Sequence, residues 1–445
     1  MVEQNSPKNY FKMPVRNLFL SGISIYDVEN PLLRKLHRVY SVILLLTCGY
    51  GYVITEIIHA IKHFQELEVL TLTLCYIFAH TIAIGKIVVL TIRRKPIGKF
   101  LKSLETGVFL PDIERGGVEE VNIISTAVLQ TNTQAKIFGI VVVLMLATKI
   151  IPCIRNPTIT RFKADNKTEI IPVFPYPSTL PFHVDYGATP YYQIAFCYQV
   201  FSIALFGWYL GNTDTIITGL MIHGTAQFRI VINAILTVTE RAARMTPKNE
   251  PIHDKLIMLN YVDKKNNLHL IETFEKYQGK YIENLRKCVR GCVIHHQSII
   301  QLLDDIEKTF SLLFLIQFLG SLMSLCVGLY QSSVSPISDP TSVSMASFTT
   351  AMFFQLLIYC WNGNEISVYS VLVAKAAYNC DWLQADKDIK TSIMLIMMRA
   401  QRPLYLTAGK FSKISLETFT AVLRGSVSYF MVLNKMQEEQ METAK

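Results

Sequence analysis

Long apolar runs separated by short polar, charge-bearing stretches divide this chain from residue 38 to residue 435. A helix that crosses the hydrocarbon core of a bilayer needs about 20 mostly apolar residues. On that criterion the pattern predicts spans at roughly 38–61, 69–92, 136–154, 191–235, 305–330, 343–375 and 412–435. The fourth, fifth and sixth are longer than a bilayer requires, and their surplus falls where charge gathers, around 230–304 and 370–402. These helices are expected to continue beyond the membrane and pack there, with a short amphipathic helix at 391–402 before the last span. The predicted fold class is an all-α membrane protein of seven transmembrane helices.

Orientation follows from Lys and Arg counted by segment, because cytosolic connections carry the excess. The N-terminal stretch to residue 38 holds six, residues 93–136 seven and residues 236–304 eleven, against one in 61–68 and none in 331–342. The N-terminus is therefore expected in the cytosol and the C-terminus outside. No apolar stretch with a cleavage site precedes the first span, which is expected to serve as an uncleaved signal anchor. Five regions result: a cytosolic segment 1–37, spans one to four with an outer ligand region 38–235, a helical cytosolic anchor with spans five and six 236–402, the last helix 403–436 and an outer tail 437–445. The outer loop 155–190 is rich in Pro and carries Asn166-Lys-Thr168, an acceptor sequence for N-glycosylation.

Composition agrees, at 51% hydrophobic residues and a mean hydropathy of +0.30. The net charge of +9 sits in the cytosolic segments and implies contact with anionic lipids, with no nucleic acid. Nine cysteines, mostly in spans or cytosolic segments, predict no disulfide framework. Cys288, Cys292, His295 and His296 have helical spacing that fits either a metal site or an ordinary helix surface, and the second fits a lone Cys pair better. No Gly-rich phosphate loop, zinc-protease motif or nucleophile elbow is present, so an enzyme and a bound cofactor are not expected. Transport, conduction or ligand sensing remain.

Charges inside spans are costly and point to a role or a buried partner. Lys86, Lys149, Arg229, Glu365, Lys375 and Arg424 qualify. Snorkelling toward an interface accounts for Lys86 and Lys149. Glu365, beside Asn362 and Asn364, is expected to pair with a basic residue of the cytosolic helices, and Arg424 to form a buried link between helices or subunits. Helical spacing also pairs Leu74 with Phe78, Met145 with Lys149, Tyr192 with Phe196 and Phe348 with Met352. Together they form either a pocket for a small apolar ligand between spans two, three, four and six or plain helix packing. On the last span Ser415, Thr418, Val422, Gly425, Tyr429, Val432 and Met436 recur at spacings of three and four, an uncharged stripe down one face. Four copies around an axis would make a water-tolerant tube closed by an apolar ring.

The last 85 or so residues resemble the insect odorant receptors. The likeness rests on Asn362-Gly-Asn364, Ala376-Ala-Tyr378 with Trp382, Arg399-Ala-Gln-Arg-Pro403, Leu406-Thr-Ala-Gly-Lys-Phe411, Ser415-Leu, Thr418-Phe419, Leu423-Arg and Ser428-Tyr-Phe430. One departure is Ser426-Val-Ser-Tyr-Phe430, where the family usually has a second Tyr. The resemblance implies an odour-tuned subunit of a non-selective cation channel, joined with a co-receptor into a heterotetramer or with its own copies into a homotetramer. A small volatile odorant would sit in the outer half of the bundle, and permeant cations would pass a gate that falls on Val432 and Met436. The co-receptor has a much longer segment between spans four and five, so a tuned subunit fits better. A gustatory-type relative would share the topology. A seven-helix metabotropic receptor would need the opposite orientation, and a secondary transporter would show repeated halves with broken helices.

Overall fold

The computed structural model describes residues 9–156, 158–162, 168–179, 189–246, 268–334, 340–383 and 385–443. Before the first span, helix α1 (Lys12–Leu20) packs into the bundle. Tyr10, Phe11, Leu18, Ile23 and Ile25 are buried, and the Tyr10 ring stacks on His223 at 5.2 Å. Asn17 Nδ2 donates to Asn212 Oδ1 at 2.9 Å, and the Tyr209 hydroxyl donates to the carbonyl of Ser21. A segment that reads as polar by composition thus carries enough spaced apolar residues to cover part of the fourth span.

The first span, α2 (Pro31–Lys62), begins earlier than residue 38. Asn30 caps it by accepting from the N–H groups of Leu32 and Leu33, and Pro31 stands where its missing N–H costs nothing. A wider turn at Leu45–Tyr50 interrupts it beside Gly51, where a Cβ would come within 2.8 Å of the Leu46 carbonyl oxygen. The second span is α3 (Leu67–Ile92), followed by the amphipathic α4 (Arg94–Leu104).

The third span is α5 (Ile113–Arg155), much longer than the predicted 136–154. Ile123, Ile124, Ala127, Thr131 and Ala135 bury one face, while the intervening polar residues hide this part of the helix from a search for apolar runs. Its entry is locked by Arg115, which pairs with the buried Glu120 at 2.7 Å and donates to the carbonyls of Val108 and Leu110. Gly117, at φ +66°, supplies the left-handed kink there.

An outer hairpin of β1 (Thr158–Phe162) and β2 (Thr168–Pro172) pairs Ile159 with Ile171 and Arg161 with Glu169. The fourth span is α6 (Thr189–Leu236), continued by α7 (Val238–Met245). The fifth is α8 (Leu268–Val334), whose 67 residues run roughly 100 Å against a hydrocarbon core of about 30 Å. The sixth is α9 (Pro340–Asn379), followed by α10 (Lys387–Ala400). A hairpin of β3 (Thr407–Ala408) and β4 (Ser412–Lys413) precedes α11 (Leu416–Thr443). The last helix therefore starts later than 412 and runs through most of the expected tail.

Among the described residues, six helices are long and apolar enough to cross a membrane: α2, α3, α5, α6, α8 and α9. α11 has the length but carries polar residues throughout. Asn166, the glycosylation acceptor, lies outside the described residues.

Candidate ligand site and the seventh helix

Lys86 of α3 does not snorkel. It is fully buried and pairs with Asp214 of α6, which is buried as well. From α9, Gln355 donates to Asp214 Oδ2 at 2.5 Å and Tyr359 to Oδ1 at 2.6 Å. Gln317 of α8 reaches Gln355 Oε1 at 3.3 Å and Ser321 Oγ at 2.8 Å. One carboxylate thereby organises four helices, each donor meeting an acceptor that would otherwise be stranded in an apolar interior. Sequence reasoning overlooked Asp214, although a carboxylate inside a span is the stated signal for a functional or paired group.

Toward the end of the bundle that meets the outer loop, an aromatic cluster forms. The Tyr76 ring lies 5.6 Å from Phe348 and 5.3 Å from Tyr176, and the His80 ring 4.3 Å from Phe206 and 5.9 Å from Tyr52. His80 Nδ1 meets Glu56 Oε2 at 2.8 Å. The Lys149 ammonium sits 5.7 Å from the centre of the Tyr76 ring, an inward cation–π contact rather than an excursion to the interface. Segment 173–179 closes over the cluster: Thr179 donates its N–H to Thr55 O at 3.1 Å and Gln199 donates to Ser178 Oγ at 2.6 Å. Among the described residues, the hydroxyls of Tyr52, Tyr76 and Ser344 and Glu56 Oε1 are buried without a hydrogen bond of good geometry, the Tyr76 hydroxyl having only Ser344 beside it and the Tyr52 hydroxyl only Ser178. Buried polar atoms are nearly always well satisfied, so a group of poorly satisfied ones at one place marks the cluster as a candidate ligand site.

The expected pocket residues divide on this framework. Phe348 and Met352 are buried in the cluster and the core around it, with Phe78 and Met145 partly buried against that core and Leu74 half-buried. Tyr192 and Phe196 pack on each other at 6.0 Å, and Tyr192 donates to Val173 O at 2.9 Å and contacts Phe174, so this pair secures the outer loop. Tyr52, Glu56, Tyr76, His80 and Phe206 were missed. Tyr52 with Glu56 and Tyr76 with His80 are pairs four apart on one helix face, a spacing visible in the sequence. The first span, which the sequence reading left out, thus lines the cluster.

On α11 the stripe splits. Val422 and Gly425 turn toward α8, where a Cβ on Gly425 would lie 3.1 Å from Leu322 Cδ1, and the neighbouring Ser426 donates to the Leu322 carbonyl at 3.2 Å. Tyr429, Val432 and Met436 are 54%, 54% and 47% exposed in the single chain. Arg424 is exposed and, among the described residues, makes no ion pair. The expected link from Arg424 to another helix of its own chain is therefore absent. Glu365 likewise lacks the expected basic partner among the described ion pairs. It lines a groove with Arg229 instead.

A model of the family described as 7tm odorant receptor matches residues 66–427. The chain belongs to the odorant receptor family. It is a multi-pass membrane protein and not an enzyme. Over 141 residues the receptor is 30% identical to odorant receptor 10 of Aedes albopictus, covering 32% of this chain and 37% of that protein. Over 153 residues it is 26% identical to the odorant receptor coreceptor of Aedes aegypti, covering 34% of this chain and 32% of that one. The matched stretches thus span about a third of the length of these curated relatives. The solved structure of the olfactory receptor OR5 from Machilis hrabei in complex with eugenol superposes with a TM-score of 0.74 at 14% identity, over 97% of this chain and 98% of that one. At that identity the likeness establishes the seven-helix fold.

The receptor's C-terminal motifs have a packing explanation. Glu307 of α8 accepts from the N–H of Thr407 at 2.7 Å and from its hydroxyl. Gly409, at φ +61°, donates its N–H to Ser311 O at 2.8 Å. On α9, a Cβ at Gly363 would come within 2.6 Å of Ile414 Cγ2 and 2.7 Å of the Ile414 carbonyl. The Asn-Gly-Asn and Leu-Thr-Ala-Gly segments thus hold the hairpin before α11 against α8 and α9. In the extension of α8 the Cys and His side chains go to separate partners: Arg241 meets Cys292 Sγ at 3.3 Å, and His295 Nε2 meets Gln227 Oε1 at 2.8 Å. No cluster of metal-ligating residues forms among the described residues.

Proposed function

We propose that this receptor is an odour-tuned subunit of a tetrameric, ligand-gated, non-selective cation channel in the plasma membrane of olfactory neuron dendrites. It assembles with an odorant co-receptor into a heterotetramer, with a homotetramer as the alternative. The observation that carries this reading is α11, a membrane-length helix too polar for lipid contact on all sides, with Tyr429, Val432 and Met436 left uncovered by its own chain. Copies of that face around an axis enclose a path for water that narrows to an apolar ring, which gates by dewetting.

The ligand is a small volatile molecule in the cluster of Tyr76, Phe348, Met352 and their neighbours. Aromatic walls with a few poorly satisfied polar atoms suit a mostly apolar molecule bearing a single hydrogen-bonding group. Eugenol, held by the Machilis receptor, is likewise a small, mostly apolar aromatic molecule. Binding selects a bundle geometry in which the outer end of α11 tilts from the axis and carries Val432 and Met436 out of the path. The Lys and Arg distribution supports a cytosolic N-terminus, which puts Asn166 on the glycosylated side.

The test is whole-cell current during application of a panel of volatiles, in cells expressing this chain alone or with an insect co-receptor, with G-protein signalling blocked. Rapid cation current that needs this chain and survives the block is expected. Loss of the response under the block, with the protein at the surface, would replace the channel with a metabotropic receptor.

A further inference from the structure

At the other end of the bundle a groove opens between α5, α6 and α9, in two joined parts. The part nearer the membrane, ≈ 500 Å³, is walled by Leu129, Phe138, Ile222, Leu357 and Trp361. It shares Gln130, Ile222, Trp361 and Asn362 with a second part of ≈ 160 Å³ that continues away from the membrane and is lined by polar groups. Arg229 of α6 and Glu365 of α9 face this second part from opposite helices without forming an ion pair with each other. Among the described residues, the Thr225 hydroxyl, also in its wall, is buried without a hydrogen-bond partner.

The level is the inner boundary of the bilayer. On α5 the exposed residues from Ile137 to Ile154 are apolar, with Ile137, Ile140, Val143 and Leu144 all more than half exposed, whereas below them exposed polar side chains, Lys136, Gln130 and Thr126, appear beside the exposed Leu129. Trp361, half exposed at the junction of the two parts, is the residue type that settles at such boundaries.

We infer that this groove holds a zwitterionic phospholipid of the inner leaflet, one acyl chain in the apolar part and the headgroup in the polar part. The phosphate takes Arg229, whose guanidinium forks onto phosphate oxygens, and the headgroup ammonium takes Glu365. The pairing accounts for two opposite charges left apart on facing helices and for the change from apolar to polar lining along the groove's length. Because α9 also carries Phe348 and Met352, the lipid braces the helix that holds the ligand cluster.

The experiment uses the full-length receptor in nanodiscs of phosphatidylcholine, doped with a phosphatidylethanolamine that carries a photoreactive group in one acyl chain. Labelled peptides are mapped by mass spectrometry. Labelling is expected on the stretch Leu129–Phe138 or Leu357–Trp361, to fall about tenfold in Arg229→Ala, one charge-assisted contact's worth, and to persist in Arg229→Lys. A phosphatidylglycerol probe, which has no ammonium, is expected to label less than the ethanolamine probe in the wild type and equally in Glu365→Gln. Labelling of the lipid-facing stretch at Val143 and Leu144 must stay constant, which separates a lost site from a lost fold. Uniform labelling along the helices, or labelling indifferent to Arg229, would overturn the proposal. Crosslinking of Leu129 or Trp361 to a second copy in place of lipid would overturn it too, and assign the groove to a subunit contact.

Discussion

Asp214→Ala offers the sharpest test of the core. It removes the acceptor of three buried donors, the Lys86 ammonium, the Gln355 amide and the Tyr359 hydroxyl. Breaking a buried pair from one side costs about 3–5 kcal/mol, because the remaining charge stays desolvated without compensation. Against a total stability of about 5–15 kcal/mol, that is a large share. Replacing both partners with apolar residues of similar size is often neutral or better. Lys86→Met combined with Asp214→Leu still leaves Gln355 and Tyr359 without their acceptor, and is expected to lose clearly less than the sum of the losses of Lys86→Met and Asp214→Leu alone, a coupling diagnostic of direct pairing. The assay is thermal unfolding of the detergent-solubilised full-length receptor, followed by fluorescence-detected size exclusion. Each 1 kcal/mol lowers the midpoint by about 2–4 °C in a domain of 150–250 residues, and by less in this longer chain. Wild-type stability in Asp214→Ala would refute the network, and losses that simply add in the double variant would refute the pairing.

Other outcomes follow from the cluster and the last helix. Val432→Ser or Met436→Ser is expected to raise current in the absence of ligand, since either wets an apolar constriction; unchanged leak in both would remove them from the gate. Tyr76→Phe deletes one poorly satisfied hydroxyl and is expected to lower sensitivity to ligands with a hydrogen-bonding group by about tenfold, one hydrogen bond's worth, while sparing hydrocarbon ligands. Equal shifts for both ligand classes would show that the hydroxyl does not contact ligand. Gly363→Ala forces a Cβ against Ile414 and is expected to cost roughly 1–3 kcal/mol of stability and much of the surface expression. Surface labelling at the wild-type level would contradict that close packing.

Apolar length located most of the spans, because bilayer thickness writes itself into sequence as an uninterrupted run. It failed where a helix leaves the bilayer. The inner half of α5 buries Ile123, Ala127 and Thr131 against protein while its other side meets water, so its signal is periodicity and not hydropathy. The aromatic cluster was only half legible for a related reason. Phe348 and Met352 were expected there by treating large apolar side chains as pocket walls, and both are buried, but Tyr52, Glu56 and His80 are polar residues that burial in the assembled bundle makes informative. Asp214 and Lys86 lie 128 positions apart, and no local pattern announces that each neutralises the other.

The aromatic cluster has a physical route to the last helix. Phe348 and Met352 face the cluster and core from α9, and the next residue, Phe353, packs edge-on against Phe419 of α11 at 5.3 Å. About three turns further on, Gly363 grips Ile414 just before α11 begins. A shift of α9 on ligand binding would therefore press on α11 at two points near its start, levering the end that carries Val432 and Met436. Contact alone does not establish coupling; an element with two arrangements biased from both sites does. Phe353→Ala removes the aromatic contact without touching the cluster and leaves the Gly363 contact in place. It is expected to lower the maximal ligand-evoked current while surface level stays near wild type and direct ligand binding is unchanged. If binding weakens in step with current, Phe353 belongs to the ligand site. If neither changes, the force passes through Gly363 and the hairpin, and the aromatic contact is packing only.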